Sequence, residues 1–78
     1  MVNLGSMKPR QRGRIISVAT GEPHAGRLLA MGVIPGTMVN VVGVAPLGDP
    51  MIVDVNGCRM SLRRREAEVL NVDSVETA

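Results

Sequence analysis

MIVDVNGCRMSL, Met51–Leu62, decides the fold. Met51, Val53 and Val55 recur at every second position, which places them on one face of a strand. Asn56-Gly57 follows directly, and this pair suits the two left-handed positions of a tight hairpin turn better than any other. After the turn Cys58, Met60 and Leu62 alternate with Arg59, Ser61 and Arg63, so the chain returns as a second strand with one face turned inward. Two short strands joined by two residues form an antiparallel hairpin, the unit from which small all-β folds are assembled.

Upstream the rhythm is the same. Pro46-Leu47-Gly48-Asp49-Pro50 is a loop, since two prolines and a glycine leave little alternative. Before it a strand is expected over Met38 to Ala45, with Gly43 marking a bulge where the inward face switches. Pro35-Gly36 suits the central pair of a type II turn. Pro23 suits the first turn of a helix, Ala25, Leu28 and Leu29 form a helical stripe, and Gly32 is placed to end the helix. A further strand is expected at Arg14 to Ala19, with Ile16 and Val18 on one face and Ser17 opposite. The segment Leu4 to Arg12, with Pro9 in it, reads as a turn or an extended lead-in. Downstream, Arg64 to Glu68 reads as one helical turn and Val69 to Val72 as a short closing strand, the tail after Asp73 being frayed. The sum is an all-β domain over 1–78: a small SH3-like barrel of about five strands with one inserted short helix, from about Pro23 to Met31.

Composition narrows the function. The 78 residues are 45% hydrophobic and include no Phe, Tyr or Trp, so Val, Ile, Leu and Met must fill the core. A formal net charge of +2 permits anionic partners without demanding them. A single cysteine rules out an internal disulfide and suits a reducing, cytoplasmic setting. No run approaches the roughly 20 apolar residues of a membrane-spanning helix, and Met1 to Met7 lack a signal-peptide pattern.

Chemistry finds little to stand on. His24 and Cys58 are the only residues of their kinds, they are far apart in sequence, and no motif surrounds either. Cys58 reads as a small buried hydrophobe and His24 as a solvent-facing residue of the first helical turn. No glycine-rich phosphate loop follows a strand, so neither binding nor hydrolysis of GTP is expected. Six methionines could suggest a soft-metal site, but Met38, Met51 and Met60 fall at strand positions where a core without aromatics needs flexible filler. No catalytic residue, cofactor or metal is therefore expected. Arg63-Arg64-Arg65, with Arg10, Arg12, Arg14 and Arg59, could form a stripe for phosphates. Small nucleic-acid-binding barrels stack bases on aromatic rings, however, and this chain has none. Glu66 and Glu68 also neutralise the run, which reads as a solvated strand end. The same lack of aromatics excludes the proline-rich ligands of ordinary SH3 domains. Protein docking has positive signs: Leu47 sits in a loop that cannot readily fold it inward, and Leu28, Leu29, Met31, Val33 and Ile34 exceed what one stripe against a tiny core requires.

Three stretches carry a resemblance: Arg27-Leu28-Leu29-Ala30-Met31-Gly32-Val33-Ile34-Pro35-Gly36-Thr37, Ala45-Pro46-Leu47-Gly48-Asp49-Pro50, and Leu62-Arg63 with Glu66-Ala67. In their order and spacing the sequence resembles the bacterial ferrous iron transport protein A (FeoA) family over nearly its whole length. It departs at Arg10, where that family usually has glycine after the proline. The resemblance implies an SH3-like barrel with an inserted helix, and a cytoplasmic accessory of the membrane transporter, ferrous iron transport protein B, which carries a G-protein domain. It also implies kinship with the last domain of iron-dependent repressors, though this chain has no DNA-reading helix pair. On this reading the partner contacts are Arg27, Leu28 and Met31 of the helix, Leu47, Gly48 and Asp49 of the proline-bounded loop, and Arg63. Leu29 is then expected to anchor the helix in the core. The alternative is a small basic barrel that binds nucleic acid or serves as a regulatory domain like that of the repressors.

Overall fold

The structure, a computed structural model, describes residues 2–19, 21 and 25–77. Their strands are β1 (Val2–Asn3), β2 (Gln11–Val18), β3 (Met38–Val44), β4 (Met51–Val55), β5 (Cys58–Leu62) and β6 (Leu70–Thr77), with helices α1 (Ala25–Ala30) and α2 (Arg64–Ala67) and a 3-10 turn at Leu4–Ser6. They form one sheet in the order β1-β6-β2-β3-β4-β5, every pairing antiparallel. The sheet thus has six strands where about five were expected.

The hairpin forms as its sequence demands. Asn56 and Gly57 have φ of 51° and 77°, and Val55 faces Cys58 across the turn. Met51, Val53 and Val55 are buried. The register of β3 on β4 slips between Val41 and Gly43, so the bulge lies where the glycine placed it. Ile34, Pro35, Gly36 and Thr37 close a type II turn: the Thr37 N–H donates to the Ile34 carbonyl at 3.2 Å and Gly36 has φ 94°. Helix α1 ends in a Schellman motif. The Val33 and Gly32 N–H groups donate to the Leu28 and Leu29 carbonyls, both at 3.0 Å, and Val33 packs in the same buried cluster as Leu28.

Several expectations are corrected. On β2 the inward residue is Ile15, which is buried, while Ile16 is exposed. A register slip between Ile15 and Ser17 against β6 breaks simple alternation there, and only the partly buried Val18 keeps its expected place. The segment before β2 is part of the fold, not a mere lead-in: Leu4 and Met7 are core residues, and β1 pairs with β6. The closing strand does not stop at Val72. It runs to Thr77, paired with Gln11, and Arg12 bonds Glu76 at 3.1 Å across that pair. Cys58 is exposed because it sits where the sheet ends. Met38, expected in the core, is 39% exposed, whereas Met51 is fully buried and Met60 packs on the core from its margin. Met31 lies just past α1, and Pro23 and His24 lie outside the described residues.

Two glycines are set by close approach. A Cβ on Gly13 would stand 2.5 Å from Val72 Cγ1 and 2.9 Å from the Asp73 carbonyl; one on Gly5 would stand 2.6 Å from the Arg64 carbonyl. Gly13 lets β2 and β6 cross tightly, and Gly5 lets the 3-10 turn settle on α2. Arg10 is the contrary case. It follows Pro9 in a turn closed by the Gln11 N–H on the Lys8 carbonyl at 3.1 Å, and its φ is 73°. A side chain is disfavoured there by roughly 1–2 kcal/mol. Arg10→Gly is therefore expected to stabilise the protein by about 1 kcal/mol, somewhat less than the strain removed because glycine frees the unfolded chain. Urea unfolding of the variant beside the parent measures the difference.

Candidate functional site

The loop between β3 and β4 is held from within. The Gly48 N–H donates to the Ala45 carbonyl at 2.7 Å, and the Ala45 N–H donates to the Pro50 carbonyl at 3.0 Å. The Asp49 carboxylate accepts the Arg64 backbone N–H at 2.8 Å, which ties the loop to the start of α2. The Arg64 guanidinium then donates through Nε to the Gly48 carbonyl at 2.6 Å. Through its terminal nitrogen it donates to the Gly5 and Met7 carbonyls at 2.9 and 3.1 Å. One side chain thus joins the loop, α2 and the segment after β1. That junction matters for the fold, because β1 and β5 are the two ends of the sheet. The segments that follow them meet through Arg64 and through the packing of the 3-10 turn on α2, rather than by a last strand pairing.

The loop is consequently a rigid pedestal, and Leu47 at its tip is 97% exposed. Asp49 and Gly48 face inward in function: their polar groups hold α2 and Arg64, so they shape the loop. Helix α1 offers a second exposed apolar group. Leu28 is fully buried and Leu29 is 40% exposed, the reverse of the expected assignment. The reason is the Schellman ending, which fixes Leu28 opposite buried Val33 and turns Leu29 outward. Met31 and Ile34, beyond the helix, are also exposed. Between the two features lies α2. Arg27 of α1 is bonded to Glu66 of α2 while remaining more than half exposed, and the other Glu66 oxygen accepts the Arg63 N–H at 3.0 Å.

The arginines do not form a free stripe. Arg12 pairs with Glu76 and Arg14 donates to the Gly36 carbonyl at 3.1 Å. Arg59 clasps Asp54 with two bonds of 2.8 and 3.1 Å. Hydrogen bonding to Arg59 holds the Asp54 carboxyl below the usual carboxylate range and raises the guanidinium in return. Arg64, the middle of the run, is drawn inward. Among the described residues this leaves Arg10, Arg63 and Arg65 as arginines without an ion pair or side-chain hydrogen bond. No group of three or more His, Cys, Asp or Glu among them could hold a metal ion, and no helix is long and apolar enough to cross a membrane.

The fold is a small SH3-like barrel that presents exposed leucines on a braced loop and on a short helix. The chain belongs to the FeoA domain family, whose sequence model matches residues 2–74. It is similar to the crystal structure of Stenotrophomonas maltophilia FeoA complexed with zinc. The identity is 29%, the match covers 99% of this chain and 98% of that one, and the TM-score is 0.87. That protein is described as a procaryotic SH3 domain protein and put forward as a bacterial ferrous iron transport activating factor. The chain is also similar to the solution structure of FeoA from Chlorobium tepidum, at 36% identity over 97% of this chain and 70% of that one, with a TM-score of 0.80. A likeness of fold alone extends to the T. acidophilum protein IdeR, 24% identical, with 92% of this chain and 34% of that one covered and a TM-score of 0.74.

Proposed function

We propose that this chain is a non-enzymatic cytoplasmic accessory of bacterial ferrous iron uptake, recruited to the inner face of the membrane by docking onto ferrous iron transport protein B. The observation that carries the reading is Leu47, almost wholly exposed on a loop that Arg64 and Asp49 hold rigid. A lone exposed leucine is ordinary. One fixed in place by internal bonds loses little freedom when a partner covers it, and so can contribute to affinity. Leu29, Met31 and Ile34 extend the apolar surface on the far side of α2. Arg63 and Arg27 are exposed, and charges at the edge of an interface govern the rate of encounter more than affinity.

Leu47→Gln is expected to weaken binding to the detergent-solubilised transporter by about 1–3 kcal/mol, the range for an apolar anchor at an interface. Its melting temperature should match the parent's, because the side chain contributes almost no buried area. Leu29→Gln should act in the same direction. Pull-downs paired with melting curves make the comparison. Normal binding by both variants would mean that the transporter does not contact this surface.

A further inference from the structure

Docking by side chains leaves one feature of the sheet unused. Strand β5 is last in the sheet order and pairs with β4 alone. In an antiparallel pair, opposed residues alternate between those that exchange both backbone bonds and those that exchange none, and in a two-residue hairpin the pair flanking the turn is bonded. With Val55 opposite Cys58, the bonded pairs are Val55–Cys58, Val53–Met60 and Met51–Leu62. Asp54–Arg59 and Ile52–Ser61 are the unbonded ones, which fits the close clasp of the Asp54 and Arg59 side chains. The N–H and C=O groups of Arg59 and Ser61 therefore point away from β4, and both residues are exposed. Among the described residues no other group bonds to their main chain.

Such an edge is a template for another strand, and proteins usually blunt it with an overhanging charge, a proline or a bulge. Here β5 has no proline and its register has no slip. Its one charged side chain, Arg59, is pulled across onto Asp54 and so does not guard the edge. Arg63 and Arg65, just beyond the strand, are exposed and unpaired. We infer that β5 takes up an extended, acidic segment of the transporter as an added antiparallel or parallel strand. The main-chain groups of Arg59 and Ser61 supply the bonds, and Arg63 and Arg65 select for acidic side chains. The inference rests on the docking reading above. A second copy of this chain suits the edge less well: antiparallel pairing centred on Arg59 or on Ser61 sets arginines opposite one another, and pairing centred on Met60 sets Arg63 opposite Gly57, with no acidic side chain to meet it.

The edge geometry gives its own test. Ser61→Pro removes an N–H that points outward and serves no bond within the domain, a position where an edge strand tolerates proline. Binding of Ser61→Pro to the solubilised transporter is expected to fall at least tenfold while its melting curve stays that of the parent. Ser61→Ala, which keeps the N–H, should bind as the parent does. In the parent complex, hydrogen exchange at the Arg59 and Ser61 amides should slow by an order of magnitude or more. Reversing Arg63 and Arg65 together to Glu should weaken binding several-fold, less so at high salt. If those two amides exchange equally fast free and bound, strand addition is excluded even should Ser61→Pro not fold. If the parent binds, Leu47→Gln binds less and Ser61→Pro binds normally, the docking reading stands and strand addition falls. Failure of the parent to bind at all overturns both. A parent that sediments as a dimer which Ser61→Pro dissolves assigns the edge to a second copy and overturns the proposal.

Discussion

Arg64→Ala is expected to destabilise the domain by about 3–5 kcal/mol. Hydrogen bonds from a charged donor contribute roughly 1.5–3 kcal/mol each, and partly buried acceptors left without a donor add a desolvation cost. Here three carbonyls lose their donor together: those of Gly48, Gly5 and Met7. Water reaching the partly buried site offsets part of the loss, which is why the sum of three full bonds is not expected. A small domain has only about 5–15 kcal/mol to lose, so the variant should be near its unfolding midpoint at modest urea. Arg64→Lys is expected to recover only a minor share, because an ammonium cannot match the planar fork that reaches carbonyls on two separate segments. Urea titration of the three proteins provides the check. A variant as stable as the parent means that the sheet is closed by packing alone and that Arg64 is a bystander.

Leu28→Ala is expected to cost about 2–5 kcal/mol, the usual range for truncating a fully buried leucine. Leu28 is the one large side chain that α1 buries, so the loss should also release the helix from the sheet. Leu29→Ala, one position away, is expected to stay within about 0.5 kcal/mol of the parent, as surface changes usually do. Thermal melts of the two variants therefore separate widely if the helix is oriented as described. Equal melts would contradict that orientation.

The contrast between these leucines shows what could be read from sequence. The alternation of Met51, Val53 and Val55, with Asn56-Gly57 and Pro35-Gly36, specifies backbone conformation through local sterics, and these elements stand where the sequence places them. Which of two adjacent leucines faces inward is not local. A six-residue helix has too few turns for its stripe to be centred on one of them, and the Schellman ending with Val33 settles the matter. Gly32, already legible as a helix stop, together with an apolar residue at 33, was the available signal. Gly13 also had one, since an isolated glycine within a strand marks close approach of another backbone. Arg64 had none. In a run of three arginines nothing local distinguishes the one drawn inward, and its acceptors lie 16, 57 and 59 residues back. The reach of β6 to Thr77 was hidden for a similar reason: its partners on β2 are some 60 residues distant, and an acidic tail with no apolar alternation reads as solvated. Leu47 was legible because the prolines and glycine around it constrain the loop whatever the rest of the chain does.

Docking is tested by an equilibrium titration of the parent protein into the solubilised transporter and into its isolated cytoplasmic domain, with and without GTP. Saturable binding to the intact transporter is expected, weakened roughly 5- to 150-fold in Leu47→Gln, the factor that about 1–3 kcal/mol corresponds to. Absence of saturable binding by a parent that melts cooperatively would contradict docking.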